Sequence, residues 1–157
     1  MKIFSLLTAF SGRIGRGEWW LGLAIVIGLA TSSLLFADPA VFDVEQPLPP
    51  PALGENLVML VSFWISMAIT YKRLQDRDWP GWVAPLVAVI YLPWYIGPFF
   101  GAFWDFESMV VGTAPRHEVV HMWLALAITV PLFVDNGFLR GTSGPNRYGP
   151  DPLAPSA

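Results

Sequence analysis

Both histidines of the chain fall in one pentad, His117-Glu118-Val119-Val120-His121, which reads H-E-x-x-H. On a helix the two imidazoles share a face and suit zinc, with Glu118 placed as general base for an attacking water. That chemistry would make the chain a membrane zinc metallopeptidase. A hydrolytic site also needs a third protein ligand, and the sequence has two histidines and no cysteine. Asp135 lies about 21 Å further along the same helix at the standard rise. Asp105, Glu107 or an acid from an earlier loop would have to complete the set. The simpler reading is that His117 and Glu118 cap the start of an apolar helix and His121 sits in its interfacial turn. No cofactor is therefore expected, with zinc as the alternative.

A second constellation is basic. Arg13, Arg16 and Glu18 stand just ahead of Trp19 and Trp20; Lys72, Arg73, Asp76 and Arg77 stand just ahead of Trp79 and Trp82; Asn146, Arg147 and Tyr148 lie near the C-terminus. Guanidinium forks match carboxylates and phosphates alike, so two chemistries follow. One is a structural charge network that ties loops to helix ends. The other is a basic pocket for an anionic lipid headgroup, a phosphorylated ligand or a protein partner's acidic segment. In the second, Arg13, Arg16 and Arg73 hold the anion, Glu18 and Asp76 orient them, and Asn146 and Tyr148 fold the tail over the cluster. Asp135, at the end of an apolar stretch, should seek a cationic partner.

The elements that would carry these residues are set by composition. With 54% hydrophobic and 13% charged residues in 157, the chain suits a bilayer rather than a soluble globule. Met1 to Ile14 puts Ile3, Leu6, Leu7, Phe10 and Ile14 on one helical stripe and reads as an interfacial helix. Four spans follow, at about 19–36, 57–71, 82–104 and 119–134; the second is short by itself, but the aliphatic stems of Lys72 and Arg73 can extend it to the headgroups. Ala24, Gly28 and Ser32 recur every fourth residue, as do Ser62, Ser66 and Thr70. Small residues at that spacing let helices approach closely, so these faces are the expected contact between the first two spans. Pro85, Pro93 and Pro98 should bend the third span and Pro131 the fourth.

The loop from Ala37 to Asn56 is acidic and proline-bearing, with Pro47 to Pro51 favouring an extended backbone. The tail from Gly141 to Ala157, rich in glycine and proline, cannot form a further span. With four spans, Lys2, Arg13, Arg16, Lys72, Arg73, Arg77, Arg140 and Arg147 share one side and only Arg116 the other. Positive charge collects on the cytoplasmic side, which puts both termini there.

Three segments in order, Gly12 to Trp20, Lys72 to Trp82 and Gly144 to Pro152, resemble the three signatures of the domain-of-unknown-function family 805. The resemblance implies a small bacterial inner-membrane protein without a settled activity. It departs from the family at Lys72 and Gln75, where members usually carry arginine and histidine, so a role that needs an imidazole there is missing from this chain.

The remaining classes are weaker. Proton and ion pathways usually need charge near the middle of a span, and these spans have none there, which leaves a small transporter subunit as a further alternative. No phosphate-cradling glycine loop or nucleic-acid pattern is present. The expected protein is all-α: four transmembrane helices as two hairpins in a single membrane domain, an interfacial N-terminal helix, and a cytoplasmic tail. Its expected role is non-enzymatic, an accessory or binding module of the inner membrane whose partners are the lipid bilayer, anionic headgroups and a protein at the cytoplasmic face.

Overall fold

Long apolar runs free of mid-run glycine pairs and unsupported charge make helices, and the computed structural model describes residues 3–36, 53–97, 112 and 114–154. Among these residues there are five helices and no strand, beyond an isolated bridge between Asn146 and Gly149. The helices are α1 (Ile3–Thr8), α2 (Arg16–Phe36), α3 (Leu53–Asp76), α4 (Val83–Ile96) and α5 (Arg116–Phe138). Residues 37–52 of the acidic proline loop, and Asp105 and Glu107, lie outside the described residues, while Leu53 to Asn56 belong to α3.

The N-terminal helix is shorter than its hydrophobic stripe implies. It ends at Thr8, and Gly12 then adopts φ +96°, a left-handed turn that glycine enters without steric cost. The turn changes which stripe residues are covered. Leu6 and Ile14 are buried against Trp19 and Ile69, whereas Ile3 stays exposed.

α2 begins with a one-sided cap. Gly15 precedes the helix, and its N–H donates to the Glu18 carboxylate three residues on, at 3.0 Å. That satisfies one donor the helix cannot use and places negative charge at the positive end of the dipole. α3 and α5 run past their expected bounds at both ends, reaching 24 and 23 residues. Among the described residues these two are long and apolar enough to cross a membrane. The core helix of a soluble protein would be covered by neighbours, yet only 6% of the apolar window of α5 and 28% of that of α3 is buried. α4 is described for 14 residues, with Pro93 inside it.

α3 is the hub, touching every other helix. On one side, Leu6, Ile14, Trp19 and Ile69 join α1, α2 and α3; on the other, Leu74, Val83, Ala84 and Val87 pack with Tyr91, Ile128 and Leu132 to join α3, α4 and α5. The α2–α3 contact differs from the small-residue faces expected of it. Ala24 and Gly28 are exposed, and a side chain built on Gly28 would meet nothing. The close approach is one turn earlier, at Gly22, where an added Cβ would come 2.7 Å from the Ile69 methyl. Ile69 is β-branched and held by Ile14 and Trp19, so the helices meet where a hydrogen faces a fixed bulky side chain.

Candidate functional site

Among the described residues the last turn of α3 carries the densest burial of charge: Lys72, Arg73, Leu74, Gln75 and Asp76 are all buried, and Arg73 is fully so. The helix stops there by a Schellman closure. The Asp78 N–H donates to Gln75 O at 3.1 Å, the Trp79 N–H donates to Leu74 O at 2.9 Å, and Asp78 takes the left-handed conformation at φ 57°. This turn aims Arg73 and Arg77 at the end of α5.

That end needs them. A helix leaves its last four carbonyls without partners, and α5 has no basic residue in its own last turn. All four are satisfied from other helices. Asn136 O accepts from Arg73 Nε at 2.8 Å, Gly137 O from Trp20 Nε1 at 3.0 Å, Phe138 O from Arg16 Nη1 at 3.0 Å, and Leu139 O from Arg73 Nη2. Arg77 Nη1 then takes Arg140 O, while its other nitrogens bind Asp135, the nearest pair 3.1 Å apart. Asp135 thus has the cationic partner its position demands.

Beyond α5 the tail is held by Arg13. Its Nη2 donates to Thr142 O at 2.6 Å, its Nη1 to Gly144 O at 2.7 Å and Gly149 O at 3.2 Å, and its Nε to Asp76 at 3.0 Å. The tail returns the service to α3. Thr142 donates both N–H and hydroxyl to Asp76 O at 2.9 Å, and Asn146 Nδ2 donates to Gln75 O at 2.9 Å. Tyr148 reaches back to Trp79 O at 2.8 Å, and Arg147 pairs with Asp78 at 2.9 Å. Lys72 caps α1 in the same manner, its ammonium donating to Ser5 O and Leu6 O.

Asp76 is the electrostatic centre. One carboxylate lies between Arg13 and Arg73, and these three side chains are at most 3% exposed. Glycine is required opposite it, because a Cβ on Gly141 would overlap the Asp76 carboxylate. Asp151, outside the helices, accepts the N–H groups of Leu153 and Gly144, and these bonds hold its carboxyl below the ordinary value.

The seven residues expected at a binding site therefore have distinct placements. Arg13, Arg73 and Asp76 converge but face one another and the backbone. Glu18 caps α2, Asn146 and Tyr148 lock the tail, and Arg16 is exposed with one bond to Phe138. The sequence reading missed Trp20, Gly141, Thr142 and the capping work of Lys72. One clue was available: α5 ends without a basic residue of its own, so donors had to come from elsewhere.

The histidine pentad lies at the opposite end of α5. His117 is exposed, His121 Nε2 is 2.6 Å from Ile90 O, and the His121 ring leans on Trp94 with centroids 5.7 Å apart. An open cavity of about 540 Å³ adjoins it, lined by Ile90, Arg116, His117, Val120, His121 and Leu124. Among the described residues no three His, Asp or Glu side chains gather to hold a metal.

The profile of a family described as "Protein of unknown function (DUF805)" matches residues 7–150. The chain is 30% identical over 162 residues to the "Uncharacterized protein YiiR" of Escherichia coli (strain K12), and equally to that of Escherichia coli O157:H7. These alignments cover 96% of this chain and 90% of each relative. No solved structure matches it. The match spans the first two arginine segments and most of the third, from Gly144 to Pro150, and on that evidence the chain belongs to the DUF805 family.

Proposed function

We propose that this is a non-enzymatic, four-span protein of the bacterial inner membrane, an accessory or binding module whose arginine motifs build one rigid cytoplasmic face. The observation that carries the reading is the capping of all four orphan carbonyls of α5 by side chains of α2 and α3. Next to lipid such groups have no water to fall back on, and each left unpaired costs several kcal/mol in hydrocarbon. The guanidiniums of Arg13 and Arg73 are directed at protein acceptors, so their work is to set helix ends and tail in register. What that assembly presents outward, to a headgroup or a protein partner, is the working surface. The apolar, mostly uncovered exteriors of α3 and α5 support a lipid setting.

A zinc hydrolase is less well supported. The Ile90 carbonyl engages Nε2 of His121 and leaves Nδ1 as the nitrogen a metal could use, and among the described residues no third His, Asp or Glu gathers with the pair to complete a site.

Sidedness tests the reading directly, and the chain's lack of cysteine makes the experiment clean. Glu45→Cys and Ser143→Cys, each alone, are exposed to a membrane-impermeant thiol reagent in sealed vesicles of known orientation. The expected result is labelling from opposite faces. Labelling of both from one face ends the four-span reading.

A further inference from the structure

We infer that Arg16 and Arg140 form an anchoring site for the phosphate of an anionic phospholipid at the rim of the clasp. The inference rests on the membrane reading above and identifies which part of the arginine cluster faces a ligand. Arg13 and Arg73 share Asp76, Arg77 holds Asp135, and Arg147 holds Asp78. Among the described residues no carboxylate lies within ion-pair distance of Arg16 or Arg140, and both residues are exposed.

Their position is fixed by the same capping bonds. Arg16 gives Nη1 to Phe138 O at 3.0 Å and is otherwise exposed. Arg140 follows two residues later, its own carbonyl held by Arg77. The two residues thus stand at the end of one helix, where the Arg140 charge also acts on the Asp151 carboxyl without an ion pair, and a planar guanidinium suits a phosphate through paired N–H groups.

Beside them is an aromatic shelf. Trp20 is 38% and Phe138 57% exposed, and their rings meet edge to face with centroids 5.6 Å apart. Trp20 is oriented by its bond to Gly137 O at 3.0 Å. Aromatic rings at headgroup depth with arginine alongside match a lipid whose acyl chains lie against the ring and whose phosphate meets the cation. A soluble phosphate would use the arginines and gain nothing from the shelf.

The test uses the full chain in detergent, offered phosphatidylglycerol or phosphatidylcholine, with bound lipid counted by native mass spectrometry. Arg16→Gln with Arg140→Gln should lower phosphatidylglycerol retention about tenfold or more and leave phosphatidylcholine retention unchanged, with the melting temperature falling only by the loss of the Arg16 bond to Phe138 O. Arg16→Lys with Arg140→Lys, which keeps both charges, should retain most of the lipid. Arg147→Gln, an exposed arginine that already has a carboxylate, should behave as the parent.

Equal phosphatidylglycerol retention by parent and double Gln variant overturns the site. An equal loss in Arg147→Gln overturns it as well, because the effect would then belong to net charge. Displacement of the lipid by millimolar inorganic phosphate would assign the arginines to a soluble anion and overturn the lipid source. A failure of the four-span reading shows itself separately, in the thiol labelling.

Discussion

The two ends of α5 solve the same problem in opposite ways. At the C-terminal end every orphan carbonyl has a charged or indole donor from another helix, and Arg73 and Arg77 are neutralised by Asp76 and Asp135. At the N-terminal end there is no side-chain cap, and α4 and α5 meet beside an open cavity. Cross-links there include His121 to Ile90 O at 2.6 Å and Tyr91 to Ala125 O at 3.1 Å, both onto backbone carbonyls. The difference teaches where rigidity resides. Charged chemistry in this chain is concentrated where backbone must be satisfied, and the end that carries the enzyme-like motif is the loosely tied one.

The largest break of this contrast is Asp76→Ala. It leaves Arg13 and Arg73 buried without their carboxylate, and removing one member of a buried pair costs about 3–5 kcal/mol. A thermal melt in detergent should show a large fall, with the tail becoming accessible to protease. If the variant melts like the parent, the clasp is ornamental.

At the other end, His121→Ala should cost about 1 kcal/mol, the worth of one neutral hydrogen bond. The same preparation sharpens the comparison by metal analysis: parent protein purified without chelator should carry far less than one zinc per chain. Stoichiometric zinc that disappears in His121→Ala would make the loosely tied end the chemical one.

The smallest effect concerns Asp151 and pH. Its folded-state carboxyl lies below the ordinary 3.8, so it contributes stability above that value, and the contribution is lost as pH falls through the lower folded value. Asp151→Asn should therefore lower the melting temperature slightly at neutral pH and converge with the parent in acid, which flattens the acid limb of the profile. A shift at neutral pH comparable to that of Asp76→Ala would show the tail turn to be part of the central network.

Much of this was legible in the sequence. Uncharged runs marked α2, α3 and α5, the pairing of Asp135 with a cation followed from its depth, and the three arginine and tail segments were the ones that converge. The helix limits were less legible, because α3 continues through Lys72 to Asp76 only where the α1 and α5 carbonyls accept those charges. Likewise Ala24 and Gly28 have the spacing of a packing face, yet Gly22 makes the contact, since Ile69 is immobilised from behind.

By itself the sequence determined that this chain is helical, apolar along most of its length, and charged in a few short segments. Hydrophobic length and residue type are local properties and can be read without a fold. Only the tertiary structure decided what the arginines face. A guanidinium suits a carbonyl, a carboxylate and a phosphate alike, and the choice depends on which acceptor packing brings within about 3 Å. For Arg13 and Arg73 packing brings helix ends and tail; for Arg16 and Arg140 it leaves an outward face.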